Sequence, residues 1–168
     1  MKRILLLRHA KAEPPFPGQS DFDRELAGRG REDAKRIGKM LARVGRVPDA
    51  IVASPAARAK ETAELAAAAM GFSGEMRWDR GLYGSSGEAW VDALRSLPSG
   101  VELALLVAHS PGIGEAAALL CGTRASAFDV PTAGLVALAV RAERWRELQE
   151  GSATLRWFVR PKLVAALE

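Results

Sequence analysis

Short apolar runs recur along the chain and predict buried β-strands, because an apolar run of about four to eight residues bounded by turns is typical of a strand covered on both faces. The runs lie at residues 3–7, 50–53, 103–108, 135–140 and 155–159, with a more polar one at 76–78. The run at 103–108 is the strongest of these signals. The pattern therefore predicts strands spread along the whole chain.

Helical patterns fill the stretches between these runs. Apolar and polar positions alternate at helical spacing over about 29–44, 54–70, 88–97 and 110–120. Gly45, Gly71 and Gly122 follow three of these stretches, as glycines that end helices do. Ser54-Pro55 and Ser110-Pro111 have the signature of an N-cap serine and a first-turn proline, so two helices are predicted to begin there. The remaining segments are predicted loops at 11–27 and 81–87 and a polar stretch at 141–150 that fits either a hairpin or a short helix.

Strands that alternate with helices predict an α/β fold, specifically a three-layer α/β/α sandwich with a mostly parallel central sheet. With 168 residues, of which 48% are apolar, the chain is expected to form a single domain over residues 1–168. The single cysteine, Cys121, excludes an internal disulfide and favours a reducing, cytoplasmic location. The apolar runs are too short for a signal peptide or for the roughly 20 residues that cross a bilayer, so no membrane partner is expected.

The net charge of +4 is unevenly distributed, since residues 1–46 hold 12 Lys/Arg against 6 Asp/Glu. Several of these cations alternate with Ala34, Ile37 and Leu41 at helical spacing, which is typical of the solvated face of an amphipathic helix. Aromatic residues interleaved with these cations, of the kind that stack on bases, are absent. The charge pattern therefore does not indicate a nucleic-acid partner.

Cation-capable side chains follow two of the apolar runs directly. Arg8-His9 end the first run and His109 follows the run at 103–108, and these are the chain's two histidines. In open α/β sheets, ligands bind in the crevice beyond the carboxyl ends of the strands. Arg58 falls in the first turn of the second predicted helix, and helical side chains lean toward the helix N-terminus, so Arg58 is expected to reach the same crevice. Two histidines, two arginines and two helix N-termini around one crevice predict a phosphoryl site.

Two alternatives remain open for these residues. His9 can be a core or loop histidine whose hydrogen bonds are satisfied, with Arg8 as a solvated surface residue. A zinc site would need three or four N, S or carboxylate ligands, and no third ligand is apparent, because Cys121 lies about three helical turns beyond His109. The neighbouring arginines would also repel a cation, so no metal is expected.

The motifs in this order resemble the histidine phosphatase superfamily. They are Leu-Arg-His-Ala at 7–10, Ser-Pro-Ala-Ala-Arg-Ala-Lys-Glu-Thr at 54–62 and Val-Ala-His-Ser-Pro-Gly at 107–112, and the similarity extends from residue 4 to about 140. Ala10 stands where the superfamily usually has a glycine, a variation seen in its SixA-type branch. The stretch Asp-Phe-Asp-Arg-Glu-Leu at 21–26, followed by Gly30, also resembles that branch.

The resemblance implies a mechanism and a set of site residues. His9 would be the nucleophile that takes the phosphoryl group on a ring nitrogen, and water would then hydrolyse phospho-His9. Arg8, Arg58 and His109 would hold the phosphoryl oxygens and stabilise the charge of the transition state. The resemblance implies no metal and no organic cofactor.

The chain departs from larger superfamily members at the segment 82–84, where those proteins carry a glutamate that protonates the leaving group. Glu88 is the nearest carboxylate, and Asp21 or Glu13 could donate a proton if their loop folds inward. Imidazole leaves more easily than an alkoxide, because its conjugate acid has a pKa of roughly 6.5. The expected substrate is therefore phosphohistidine on a signalling protein. A phosphatase or mutase for small phosphate esters and a non-catalytic phosphate-binding module are the alternatives.

Five further polar residues are candidates for substrate contact. Lys11, Asp21 and Arg24 lie in the long loop, where a solvated side chain is an equal alternative. Ser54 and Ser110 are interpreted as helix caps rather than nucleophiles, because their flanks lack the Gly-x-Ser-x-Gly elbow of a serine nucleophile.

Overall fold

A six-stranded sheet forms the middle layer of the protein, and helices cover both of its faces. In a computed structural model that describes residues 1–168, the elements in chain order are β1 (Lys2–Arg8), α1 (Gly28–Arg43), β2 (Ala50–Ala53), α2 (Ala57–Met70), β3 (Glu75–Trp78), α3 (Gly87–Arg95), β4 (Leu103–Ala108), α4 (Gly112–Cys121), β5 (Leu135–Val140), β6 (Ala153–Val159) and α5 (Pro161–Ala166). Single-turn 3₁₀ helices lie at Asp21–Asp23, Arg80–Leu82, Ala125–Ala127 and Trp145–Glu147. None of the helices is both long and apolar enough to span a membrane.

The sheet is mixed but mostly parallel, with the strand order β3-β2-β4-β1-β5-β6. The first four strands in this order are parallel, whereas β5 is antiparallel to β1 and β6 is antiparallel to β5. The register pairs Arg8 of β1 with Ala108 of β4, and Ala53 of β2 with Val107 of β4. The carboxyl ends of β1, β2 and β4 therefore meet at one edge of the sheet.

Alternate residues of β1 belong to two different cores, because successive side chains of a strand point to opposite faces. Leu5 and Leu7 pack in the layer that contains α1 and α2, whereas Ile4 and Leu6 pack in the layer that contains α3 and α4. The short helix α5 lies against α1 on the first of these faces. The predicted α/β class and its three layers are confirmed.

The helices α1 and α2 cross at close range where α1 carries Gly38. A Cβ atom at this position would collide with the carbonyl oxygen of Ala66 and would lie 2.9 Å from the Cβ of Ala69. The absence of a side chain at Gly38 therefore lets the two helix backbones approach each other, and it fixes α2 with Arg58 near its first turn against the sheet.

The two predicted serine caps are wrong. The helix α2 begins at Ala57 with Ala56 as its N-cap, and α4 begins at Gly112 with Pro111 as its N-cap, and neither has a capping side chain. The chain makes a further bend after each strand, so Ser54 and Ser110 stay at the sheet edge instead of starting a helix. The hydroxyl of Ser54 is free for a long-range contact described below.

Other departures from the predicted elements are local. The segment 11–27 is not a plain loop, since it contains the 3₁₀ helix Asp21–Asp23 and a single antiparallel bridge between Ala12 and Leu26. The stretch 141–150 contains the 3₁₀ helix Trp145–Glu147 and belongs to the connection between the antiparallel neighbours β5 and β6. The helix α5 is not predicted, because its six residues are too few to show helical periodicity.

Candidate active site

The sheet edge brings the two histidines together. β1 and β4 are parallel neighbours in register, so His9 and His109 each follow the last residue of their strand side by side. The backbone N–H of His9 donates to the carbonyl oxygen of Ala108 at 2.9 Å, and the two imidazole centroids lie 5.3 Å apart. Both residues are buried, with 8% of their surface exposed. The pairing predicted from the sequence is therefore present in the structure.

The ring of His9 is held in one neutral tautomer. Its Nδ1 lies 2.8 Å from the carbonyl oxygen of Ala10, and because a carbonyl can only accept, Nδ1 carries the ring proton. The lone pair of Nε2 points to Arg58, whose Nε–H donates to it at 3.3 Å. Burial lowers the pKa of His9 to about 3, and the nearby His109, Arg58 and Arg8 act in the same direction. The ring is neutral near pH 7.

Thr62 of α2 connects the turn after β1 to the arginine that contacts His9. The backbone N–H of Ala10 donates to the hydroxyl oxygen of Thr62 at 3.0 Å, and that hydroxyl donates to the carbonyl oxygen of Arg58 at 2.6 Å. Thr62 is fully buried. Thr62 lies within the motif at 54–62 but has no predicted role, because a threonine at helical spacing is typical of an ordinary core residue.

All three nitrogens of the Arg58 guanidinium have partners. Besides Nε–H on His9, its NH1 donates to the backbone carbonyl of Asp21 at 2.7 Å and its NH2 donates to the Asp21 carboxylate at 3.0 Å. The side chain of Arg58 is only 8% exposed, whereas that of Asp21 is 53% exposed. The 3₁₀ helix of the long loop thus places a carboxylate on the arginine of the site.

Tyr83, from the loop before α3, fixes this carboxylate. Its hydroxyl donates to the same oxygen of Asp21 at 2.8 Å, and Arg24 donates to the other carboxylate oxygen at 3.1 Å. These donors lower the pKa of Asp21 to about 2, the Tyr83 hydroxyl most strongly and then Arg24 and Arg58. Asp21 is therefore a carboxylate anion. The ring of Tyr83 also packs edge-on against the ring of His109, with centroids 5.4 Å apart.

Arg8 extends from the end of β1 to the segment before β5. Its NH1 donates to the carbonyl oxygen of Val130 at 2.9 Å, while its Nε is buried and has no hydrogen-bond partner. Burial lowers the pKa of Arg8, and Asp129 acts against this change. The same segment is tied to the first histidine, because the N–H of Ala133 donates to the carbonyl oxygen of His9 at 3.1 Å.

His109 has one satisfied and one unsatisfied ring nitrogen. Its Nε2 lies 2.8 Å from the hydroxyl oxygen of Ser54, whereas Nδ1 is buried without a partner. Ser54 is fully buried at the end of β2, and its hydroxyl oxygen also accepts from the N–H of Ala56 at 3.3 Å. Burial lowers the pKa of His109 to about 4, with Arg58 acting in the same direction, so this ring too is neutral near pH 7.

Unpaired buried polar atoms are uncommon in folded proteins, because each one loses its hydrogen bonds to water. Two of the four such side-chain atoms in this protein are Arg8 Nε and His109 Nδ1. Arg58 contacts the Nε2 of His9, and the two unpaired nitrogens belong to residues at the same sheet edge, so unused hydrogen-bonding capacity and guanidinium charge occur together there. The arrangement suits an anion that has several acceptor oxygens.

The remaining candidates lie outside this cluster. Lys11 and Ser110 are exposed, and neither side chain makes a hydrogen bond. Arg24 contacts Asp21 and the carbonyl of Glu13 rather than a histidine. The possible proton donors Glu13 and Glu88 are exposed and make no side-chain hydrogen bond to the site. Of the five additional candidates, the structure brings in only Asp21 and Ser54.

Two further features bear on what the protein binds. The largest cavity, of about 410 Å³, lies near the amino ends of β1 and β4, is lined mostly by apolar side chains, and contains none of the site residues. No group of three or more His, Cys, Asp or Glu side chains is arranged to hold a metal ion.

Sequence comparisons identify relatives along nearly the whole chain. The family model described as histidine phosphatase superfamily (branch 1) matches residues 4–83. An uncharacterised protein of Mycobacterium tuberculosis is 31% identical over 164 residues, which cover 93% of this chain and 100% of the relative. One of Mycobacterium leprae is 30% identical over 166 residues, with the same coverage of 93% and 100%.

Solved structures share the fold. A protein assigned as phosphohistidine phosphatase SixA from Agrobacterium tumefaciens has a TM-score of 0.82 and 28% identity, over 95% of this chain and 98% of that one. The protein histidine phosphatase SixA in complex with tungstate has a TM-score of 0.83 over 99% of both chains, at 20% identity. The latter likeness concerns the fold alone.

Proposed function

This chain belongs to the SixA-type branch of the histidine phosphatase superfamily, and we propose that it hydrolyses phosphohistidine on a signalling protein through a phospho-His9 intermediate. The observation that carries the proposal is the state of His9, which is a neutral imidazole with Nδ1–H on the carbonyl of Ala10 and a lone pair on Nε2. Attack on phosphorus requires such a lone pair.

In the first step, the lone pair of His9 Nε2 forms a bond to phosphorus while the bond from phosphorus to the substrate imidazole breaks. The other ring nitrogen of the substrate phosphohistidine takes up a proton from solvent before the bond breaks, so the group leaves as neutral imidazole. In the second step, a water oxygen bonds to phosphorus, the bond to Nε2 breaks, and inorganic phosphate and neutral His9 result. Throughout both steps the Nδ1–H of His9 can keep its hydrogen bond to Ala10 and so hold the ring in place.

Three donors would stabilise the phosphoryl oxygens as charge develops on them. The partnerless Nε–H of Arg8 is available without breaking any contact. If the Ser54 hydroxyl donates to Nε2 of His109, the Nδ1 of His109 carries its ring proton and can also donate. The guanidinium of Arg58 becomes available when the phosphoryl group displaces the carboxylate of Asp21. Fixed donors in a dry site are worth more than the same donors in water.

The preference for a phosphoramidate rests on the leaving group. Asp21 is the carboxylate that reaches the site, and its pKa of about 2 makes it an anion rather than a proton donor. An alkoxide leaving group needs a proton early, whereas imidazole leaves as a weaker base with a conjugate-acid pKa of roughly 6.5. The names of the SixA structures above agree with this substrate class.

A phosphatase for small esters is the second candidate, and one contact favours it. When a phosphoryl group displaces Asp21 from Arg58, the carboxylate loses a positive partner and its pKa rises. The carboxyl group then comes closer to the pKa range in which it could protonate an alkoxide.

The cytoplasmic location predicted from the sequence stays a prediction.

The two candidates are separated by a turnover panel. We would compare phosphoramidate, a peptide that carries phosphohistidine, an aryl phosphate and an alkyl phosphate, using wild type, His9→Gln and, as a control, Arg141→Gln. Arg141 is exposed just after β5, at the edge opposite the histidines.

The proposal predicts efficient turnover of the two P–N substrates and weak turnover of the alkyl ester. Losing the nucleophile should cost roughly 1,000-fold or more, while Arg141→Gln stays at the wild-type level. Faster turnover of the alkyl ester would favour the second candidate. Tight binding of phosphoramidate without turnover would indicate a non-catalytic module.

A further inference from the structure

A second groove opens beside the active site and is lined by positive charge. Its volume is about 300 Å³, and apart from two prolines its lining residues are polar or charged. Four cations surround it, from the segment after β1, the start of α1 and the start of α5, together with one carboxylate: Lys11, Arg29, Arg160, Lys162 and Asp33. We call these residues the basic groove.

The charges of the basic groove are poorly compensated within the protein. Lys11, Arg160 and Lys162 make neither an ion pair nor a side-chain hydrogen bond, and all three are exposed. Arg29 lies 3.9 Å from Asp33, but Asp33 is already held at 2.8 Å by Arg36. Like charges gathered without partners repel one another, so an anion bound between them would be attracted by all four.

The basic groove adjoins the active site through two shared segments. Lys11 is two residues after His9, so the turn after β1 contributes to both. On the other side, Val130 accepts from Arg8 in the site, while the following Pro131 and Thr132 line the basic groove. The two sites therefore lie at the same edge of the sheet, where β1 ends and β5 begins.

The form of the basic groove fits an extended anion rather than one phosphate. Its cations are solvent-exposed and come from separate segments, and none of its lining residues has a buried polar atom without a partner. The active site differs, because two of its buried side-chain nitrogens have no hydrogen-bond partner. The groove also has no aromatic lining residue on which a nucleic-acid base could stack.

We propose that the basic groove binds an acidic segment of the phosphorylated protein, adjacent to its phosphohistidine. This inference rests on the proposed function, because it places the two ends of one substrate in two neighbouring sites. Rim charges of this kind act mainly on partner selection and on the rate of association. The substrate would thus be a protein whose phosphohistidine is flanked by aspartates and glutamates.

The test uses two peptides that differ in charge alone. Each carries one phosphohistidine, flanked on both sides by Asp and Glu in one peptide and by Asn and Gln in the other. The enzymes are wild type, Arg160→Gln/Lys162→Gln, and the matched control Lys39→Gln/Arg141→Gln. The control removes the same number of exposed, unpaired cations away from the groove. All four residues are exposed and make no side-chain hydrogen bond or ion pair, and Arg160 lies over the ring of Phe158 at 5.8 Å, so both variants should fold.

At low salt we expect wild type to show a roughly three- to tenfold higher kcat/KM for the acidic peptide, because its KM is lower. The preference should shrink as added salt shortens the Debye length. The preference should disappear in Arg160→Gln/Lys162→Gln and persist in the control pair. Equal kcat/KM for both peptides in wild type, or an unchanged preference in the groove variant, would overturn the proposal.

Two further measurements separate this proposal from the proposed function. Turnover of free phosphoramidate, which is too small to reach the basic groove, should be the same in all three proteins. Its absence in all of them would count against the enzyme and not against the groove. Fluorescence anisotropy with the unphosphorylated peptides then tests binding to the groove without turnover. Tighter binding of the acidic peptide that is lost only in the groove variant supports the proposal. Equal affinity of wild type for the two peptides refutes it.

Discussion

The carboxylate of Asp21 binds the guanidinium of Arg58, which a phosphoryl group would need as a partner. Removing this carboxylate should therefore tighten anion binding. We would replace it with asparagine, because Asp21→Asn keeps the size of the side chain and an oxygen that can accept from Arg58. The change removes one negative charge that is now bound by Arg58, Tyr83 and Arg24.

The size of the effect follows from the pKa of Asp21. Its fall from 3.8 to about 2, caused first by Tyr83 and then by Arg24 and Arg58, would correspond to about 2.5 kcal/mol for all three partners together, at roughly 1.4 kcal/mol per unit. However, the side chain is 53% exposed, and solvent screens such pairs to about 0.5–1 kcal/mol. An anion that competes with this contact should therefore bind roughly two- to fivefold more tightly to Asp21→Asn.

Calorimetric titration with tungstate or inorganic phosphate near pH 7 measures this change directly. Asp23→Asn is the matched control, because Asp23 lies in the same 3₁₀ helix, is exposed and makes no side-chain contact. It should leave the affinity near the wild-type value. Weaker anion binding in Asp21→Asn, or the same small gain in both variants, would refute the view that Asp21 competes for Arg58.

Three further predictions concern the same framework. In NMR titrations the rings of His9 and His109 should stay neutral down to pH values near 3 and 4, respectively. Because the unfolded chain protonates its histidines near pH 6.5, the free energy of unfolding should fall as the pH drops below that value. A ring that titrates near 6.5 in the folded protein would contradict this. Gly38→Ala should destabilise the fold by about 1–3 kcal/mol in chemical denaturation. The control Gly28→Ala, which has open space at its Cβ, should be neutral or slightly stabilising. Equal effects of the two substitutions would argue against the tight helix crossing. Thr62→Val should lower the free energy of unfolding by about 1–3 kcal/mol and should also lower kcat, because it removes both hydrogen bonds of the hydroxyl. Thr62→Ser should restore both quantities. An unchanged kcat in the valine variant would show that Thr62 does not position the site.

The strands could be predicted from the sequence where burial is complete. The predicted bounds of β2, β4 and β5 are those of the structure, because nearly every residue in them is buried and composition changes sharply at their ends. By contrast, β6 is predicted two residues too short. It is an edge strand, and the two missed residues are the small Ala153 and the polar, exposed Thr154, which add little to the apolar signal.

The central cluster of the site could be predicted because it depends on residues that directly follow a strand in the sequence. A histidine that follows a buried parallel strand must lie at the sheet edge, and this holds for His9 and His109 alike. The contact between Asp21 and Tyr83 could not be predicted, because it joins two loops that are 62 residues apart and leaves no periodic signal. Ser54 shows the same limit: the local pattern favours a cap, but the contact with His109, 55 residues away, determines its role.

The most direct test of the account is to trap the phosphoenzyme. Wild type, His9→Gln and the control Arg141→Gln would be incubated with phosphoramidate, quenched in alkali, and analysed for phosphate that is stable to base and labile to acid. We predict phosphate on Nε2 of His9 in wild type and Arg141→Gln, and none in His9→Gln. Turnover of phosphoramidate with no label at His9, or equal label in His9→Gln, would contradict His9 as the nucleophile.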